Sequence, residues 1–365
     1  MDSIPEAEIK PGTPLVDAHL DLAYNALEGE DARLPIDELR ESEIGRLLSA
    51  RGQTPTVSLP ALKAAGVAVV FGTIFVLPAD APGDLSGQGY TTPGEAFTEA
   101  MQQVDYYHGL EDDGLIRRIG SVSDLRSLLE AFEREPSTTA LGVVQLMEGA
   151  DPIRTPGELG RWVDQGVRIV GPAWRATRYS GGTGVPGPLT REGRELMAEL
   201  RKEGVTLDTS HMAEESFWDA LRLFHGPVIA SHSNCRRFVP SDRQLSDDMI
   251  RAIVDRDGVI GVVLFNAFLD PRWAPGDRKS SISLDAVVRH IEYVCEIARD
   301  TRHVGLGSDL DGGFGREAIP AELDSCADLP LIGRALLAAG WSADETADVL
   351  GGNWLRWLAE SLPAG

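Results

Sequence analysis

The sequence predicts a (β/α)8 TIM barrel, and three observations carry that expectation. Eight apolar runs of strand length recur along the chain, separated by polar turns and amphipathic helical stretches. Residues able to bind metal fall where those runs end, the rim on which a barrel carries its chemistry. A doubly wound sheet is the runner-up, but no G-x-G-x-x-G follows any early strand.

The strand candidates are residues 15–22, 68–76, 141–147, 167–173, 206–209, 228–231, 259–265 and 303–308. The second, A-V-V-F-G-T-I-F-V, is continuously apolar, as expected of a strand covered on both faces. Between the first two, residues 36–49 have the spacing of a charged amphipathic helix. Residues 78–94 are rich in Pro and Gly and form a long loop, followed by helical stretches near 95–110 and 122–135. Further helices are expected over 193–203, 214–224, 247–256, 284–301 and 330–339, with another at 353–362 packed on the outside of the barrel. One domain spanning residues 1–365 accommodates all of these elements.

Composition narrows the function. The 365 residues carry 57 acidic against 34 basic side chains, a formal charge of −23 that repels nucleic acid and anionic membranes. No apolar run approaches the roughly 18 residues a spanning helix needs, and the acidic N-terminus lacks the apolar core of a secretory signal. The three cysteines, Cys235, Cys295 and Cys326, are odd in number and form no C-x-x-C. That fits a reducing, cytoplasmic setting and argues against a disulfide framework or a thiolate metal site.

The chemistry lies at the strand ends. L-V-D-A-H-L-D-L presents His19 and Asp21, two residues apart and so on one side of an extended strand. L-M-E-G-A presents Glu148, L-D-T-S-H presents His211, and A-S-H-S-N presents His232. G-L-G-S-D-L-D-G presents Asp309 and Asp311. Singly, each has an ordinary explanation: a helix-starting carboxylate, a cap, a turn former before Gly312. Jointly they converge on one rim. The remaining histidines, His108, His225, His290 and His303, lie in or beside helices or before a strand, and read as surface or packing residues. Three imidazoles with carboxylates and no thiolate suit zinc or a similar divalent ion. Five donors exceed one tetrahedral site and suit two ions sharing a carboxylate, a pair that can hold a bridging hydroxide and polarise a carbonyl.

These motifs, V-D-A-H-L-D, M-E-G-A-D, S-H-M, A-S-H-S-N and G-L-G-S-D-L-D-G, resemble those of the membrane dipeptidase (renal dipeptidase) family of the amidohydrolase superfamily, along nearly the whole chain. The resemblance implies a barrel of the metal-dependent hydrolase type cleaving a small dipeptide, with one zinc on His19, Asp21 and Glu148 and a second on Glu148, His211 and His232. It further implies Asp309 as proton acceptor and donor and Arg243, in S-D-R-Q-L-S, as the group gripping the substrate carboxylate. A homodimer is common in the family. Two positions depart from it. Trp174, in G-P-A-W-R, stands where the family has a histidine reaching the substrate carbonyl, and Phe265 follows the seventh strand where a tyrosine is usual. An intact metal set with an altered pocket leaves two alternatives beside the dipeptidase reading. One is shifted specificity toward a lactam, lactone or N-acyl amino acid; the other is a metal-bearing barrel without turnover.

Overall fold

The computed structural model describes residues 12–42 and 53–365. Its parallel strands are β1 (Leu15–Leu20), β2 (Val67–Phe75), β3 (Ile116–Arg118), β4 (Leu141–Glu148), β5 (Val167–Gly171), β6 (Thr206–Asp208), β7 (Val228–Ile229), β8 (Ile260–Val262) and β9 (Val304–Leu306). Their hydrogen-bonded order is β7-β6-β5-β4-β2-β1-β9-β8, with β3 added beside β4. A parallel bridge between Ala230 and Ile260 joins the two ends of that path, so the strands form a (β/α)8 barrel.

The seam between β7 and β8 is short. Ala230 N–H donates to Val259 O at 3.1 Å, Gly261 N–H to Ala230 O at 2.8 Å, and Ser233 N–H to Gly261 O at 2.8 Å. The Asn234 carboxamide then supplies what a further backbone rung would. Its Nδ2 donates to Val263 O at 3.1 Å and its Oδ1 accepts from Val263 N–H at 2.8 Å.

Helices form where capping and periodicity agree. Pro93–Asp112 begins on a reciprocal Thr92–Glu95 capping box with proline in its first turn. Arg191–Glu203 starts on Thr190 and stops at Gly204, whose φ of +67° is the left-handed C-terminal turn glycine favours. The C-terminal helix Asn353–Ser361 turns Trp354 onto the barrel, where its indole N–H donates to Leu306 O at 2.9 Å and its ring meets Phe71 edge-on. Among the described residues no helix is long and apolar enough to cross a membrane.

Among the differences from the sequence expectation, three concern the strands and the first long helix. β3 lies between the expected helices, and with three residues, two of them arginine, it leaves no apolar run to detect. β1 ends at Leu20, after an irregularity in its pairing with β2. Asp21 has already left the pleat to begin the short helix Leu22–Leu27, so it reaches the site from a turn instead of from the strand. Of the helix expected at 36–49, Ile36–Ser42 is present, and positions 43–49 lie outside the described residues.

Candidate metal centre

The pairing register decides which residues reach the rim. Glu148 closes β4 and is paired with Phe75 of β2 on one side and Gly171 of β5 on the other, placing its carboxylate at the C-terminal mouth. His211 follows β6, His232 follows β7 and Asp309 follows β9 by a few residues each, so all arrive at the same level. His211 and Asp309 hold positive φ, +64° and +59°, a conformation costly for non-glycine residues and concentrated at functional sites. Gly312 makes room for the turn: a Cβ there would lie 1.9 Å from the Asp309 carboxylate.

Glu148 is the hub. Its Oε1 lies 3.2 Å from His211 Nε2 and 3.3 Å from His232 Nε2, and those two nitrogens are 3.0 Å apart. Its Oε2 lies 3.3 Å from His19 Nε2, which is 3.8 Å from Asp21 Oδ1 and 4.0 Å from Asp309 Oδ1. A tetrahedral ion with donors ~2.0–2.1 Å away separates those donors by roughly 3.3 Å. The triangle formed by Glu148, His211 and His232 has that dimension, and the His19 side is slightly more open. His19 Nε2 is fully buried and, among the described residues, has no hydrogen-bond partner, the condition of a nitrogen kept for a metal. The far nitrogens are engaged: His211 Nδ1 meets the Thr183 hydroxyl at 3.0 Å, and His232 Nδ1 meets the Ser231 hydroxyl at 2.7 Å. The donor set therefore fits a pair of divalent ions sharing one carboxylate.

The electrostatics describe a cage with too much negative charge. Burial alone would push the His19 imidazole down, but Glu148, then Asp21 and Asp309, hold it up at about 10. Asp21 is lifted to about 6, by burial first and by Glu148 second, against His19 and the Thr73 hydroxyl that donates to it. Burial raises Asp309 well above the usual carboxylate range, with Asp21 and Glu148 adding and His19 and Arg243 opposing. His211 and His232 stay well below the ordinary imidazole value because they are buried and face the positive charges of Arg243 and His19. Carboxylates that resist ionisation around one proton-holding imidazole are what a divalent cation relieves.

Arg243 is buried beside this cluster. Its Nη2 donates to His232 O at 2.7 Å and its Nη1 to Ser233 Oγ at 3.0 Å, while Nε has no partner among the described residues. Its Cζ lies 5.4 Å from the centre of the Phe268 ring, and no ion pair to it occurs among the described residues. Across the mouth, Trp174 packs edge-on to Phe75 at 5.2 Å and lies 6.2 Å from the His211 ring, with Tyr24 behind Phe75. Phe265 stacks on Phe314 at 4.6 Å. The mouth is thus aromatic on two sides. Asp311 faces away from the cluster: its carboxylate accepts from Thr56 N–H and Oγ1 and from Val57 N–H, tying residues 56–57 to the loop that carries Asp309.

Sequence reasoning passed over Asp17, Thr73, Asp208 and Ser231, all buried behind the cluster. Asp17 accepts from Ser308 N–H at 2.8 Å and from its hydroxyl, joining β1 to the residue before Asp309. The signal was available, since Asp17 sits two residues before His19 in an otherwise apolar strand.

The sequence profile of the membrane dipeptidase family (peptidase family M19) matches residues 6–362. The chain belongs to the membrane dipeptidase family. Among its relatives in this family, it is 38% identical over 250 residues to an uncharacterized Klebsiella pneumoniae protein encoded in the pqqA 5′ region, covering 65% of this chain and 89% of that protein. It is 27% identical to an uncharacterized dipeptidase of Schizosaccharomyces pombe over 358 residues, 94% of this chain and 80% of that one. Among solved structures it resembles a metallopeptidase named dipeptidase AC, with a TM-score of 0.79 and 25% identity over 96% of this chain and 99% of the other. A Rhodobacter sphaeroides metallopeptidase shares the fold at a TM-score of 0.76 and 23% identity, again over 96% and 99%. Membership in the membrane dipeptidase family makes the chain a metallopeptidase-type hydrolase with a divalent metal requirement.

Proposed function

We propose that this protein is a zinc-dependent dipeptidase, a single (β/α)8 domain that cleaves the amide bond of a small dipeptide bearing a free carboxylate. The observation that carries the reading is the double aspect of Glu148, with Oε1 turned to His211 and His232 and Oε2 turned to His19. His19, Asp21 and Glu148 would hold one ion, and Glu148, His211 and His232 the other. When bound, such a pair supplies Lewis-acid polarisation of the scissile carbonyl and a water made nucleophilic at neutral pH.

The chain's own groups do the rest. Asp309, with its raised proton affinity and its Oδ1 4.0 Å from His19 Nε2, takes the proton of the attacking water and returns it to the leaving amine. Arg243 spends two of its five N–H groups on Ser233 and His232, leaving three for the substrate carboxylate in a setting of low dielectric. Trp174 and Phe75 narrow the opposite wall, favouring small side chains and making bulky dipeptides poor substrates. That aromatic mouth also motivates the second reading, in which the same centre opens a lactam, lactone or N-acyl amino acid.

The test is a panel assay on chelator-treated protein with and without added Zn2+. The panel spans L,L-dipeptides, dipeptides with a D-residue on the C-terminal side, their C-terminal amides, lactams, lactones and N-acyl amino acids. Zinc-restored cleavage of small dipeptides supports the proposal. Cleavage confined to the other classes transfers it to the second reading, and absence of zinc-dependent turnover on the whole panel refutes both.

A further inference from the structure

Ser231 lies directly behind the candidate ligands and touches two of them. Ser231 is fully buried just past β7, where Gly261 and Gly307 let the neighbouring backbone close on its main chain: a Cβ at either glycine would lie 1.9 Å from the Ser231 carbonyl oxygen. Four groups surround the hydroxyl oxygen. Asp208 Oδ2 is at 2.6 Å, His232 Nδ1 at 2.7 Å, His19 Nδ1 at 3.3 Å and Ser210 Oγ at 3.3 Å. Asp208 is itself fixed, because its Oδ1 accepts the backbone N–H groups of Ser210 at 3.0 Å and Ser231 at 2.9 Å.

The proton count decides what this arrangement does. A serine hydroxyl has one proton to give and two lone pairs to receive with. The Ser231 hydroxyl donates to Asp208 Oδ2, and that bond uses its single proton. Any real hydrogen bond from the other neighbours must then be donated to Ser231. His232, at 2.7 Å, therefore carries its proton on Nδ1, and the Nδ1–H of His19 shares the remaining lone pair with the Ser210 hydroxyl, both at 3.3 Å. In both rings Nε2 is the nitrogen turned toward Glu148.

We propose that Ser231, oriented by Asp208, is a positioning residue that sets the ring tautomer of His232 and holds the Nδ1–H of His19, so that one hydroxyl orients a ligand ring on each side of Glu148. The two rings lie with their centroids 3.5 Å apart and tilted by 32°, which lets one oxygen reach both. The inference rests on the metal-holding role given above to these histidines. Ligand histidines generally have their second nitrogen fixed by a hydrogen bond, and losing that partner costs about 10–100-fold in metal affinity. Here a single loss would be felt at both ions.

The test uses the full chain labelled with 15N-histidine, made metal-free by dialysis against chelator, with Ser231→Ala and Asp208→Asn beside the wild type. Long-range 1H–15N spectra report which nitrogen of His232 is protonated, and competition with a chromophoric chelator reports Zn2+ affinity. The wild type should show His232 protonated on Nδ1. Ser231→Ala should lose that preference and bind both zinc equivalents about 10–100-fold more weakly. Asp208→Asn is the sharper variant. Its Oδ1 must still accept two backbone N–H groups, so its new amide donates to Ser231 and turns the hydroxyl to donate its hydrogen bond to His232 Nδ1. The ring should then move its own proton to Nε2, and zinc should weaken although Ser231 is intact. A purely structural Asp208 would leave the tautomer alone. An unchanged His232 tautomer in either folded variant overturns the proposal, as does a changed tautomer with unchanged zinc affinity. Failure of the wild type to bind zinc would sink the metal assignment on its own and leave the tautomer result readable.

Discussion

Arg243→Met separates two roles that one side chain combines. The buried guanidinium props the His232 carbonyl and the Ser233 hydroxyl and, in our reading, meets the substrate carboxylate with its remaining donors. Two charge-assisted bonds to a carboxylate contribute about 1.5–3 kcal/mol each, so a free-acid dipeptide should lose about 3–6 kcal/mol of binding in the transition state. That corresponds to a fall in kcat/KM of roughly a hundred- to twenty-thousand-fold, expressed mainly in KM. Losing the prop on His232 and Ser233 touches every substrate alike and should cost about 1–2 kcal/mol, or roughly 5- to 30-fold. The assay is kcat/KM for one dipeptide and its C-terminal amide, in wild type and variant at matched zinc content. The acid should lose at least about tenfold more than the amide. Equal losses for acid and amide would refute carboxylate recognition and leave Arg243 as a brace for His232.

Glu148→Ala should release both zinc ions, whereas His19→Ala should mainly empty one site; elemental analysis showing two ions retained in the Glu148 variant would end the shared-ligand reading. Asp309→Asn should abolish turnover with metal content unchanged, and wild-type rates in that variant would remove Asp309 from proton transfer. Away from the centre, His290 accepts Cys235 N–H on Nδ1 at 3.1 Å and donates from Nε2 to Leu269 O at 3.3 Å, a neutral arrangement that protonation breaks. Burial lowers its pKa from 6.5 to about 4, so the unfolded chain binds the extra proton first as pH drops. Its stabilisation is complete above about pH 6.5 and is lost as pH falls toward 4, a span of about 3 kcal/mol. Urea unfolding of chelated protein at pH 7 and 4.5 should show about 2 kcal/mol less acid loss in His290→Asn, and identical losses would contradict the assignment.

What the sequence made legible was whatever repeats or ends a run. Glu148, His211, His232 and Asp309 stand at the ends of apolar strands, and the parallel register of β2, β4 and β5 brings such ends to one level. Asp311 shows the limit. That it braces a loop follows from its place in D-L-D-G-G, but the braced segment at Thr56 and Val57 is some 250 positions away and nothing local points to it. Ser231 and Asp208 were hidden for the same reason. Period indicates which side a residue faces, not which distant side chain waits there. Asp21 reached its expected neighbours by an unexpected path, because a side chain at a helix start can occupy the space that a regular pleat would have given it.

Asn234 sits in the same A-S-H-S-N run as His232, yet its amide is spent on the seam between β7 and β8. A ring of strands is protected from sticky association because it has no free margin. This ring is joined at its shortest strand by a few backbone bonds and one side chain. Opening it there would turn a closed wall into a sheet with two bare margins, each ready to pair with another chain. The carboxamide two residues beyond a candidate metal ligand therefore guards the colloidal behaviour of the whole molecule, and a change at Asn234 would surface first as loss of recoverable protein on warming.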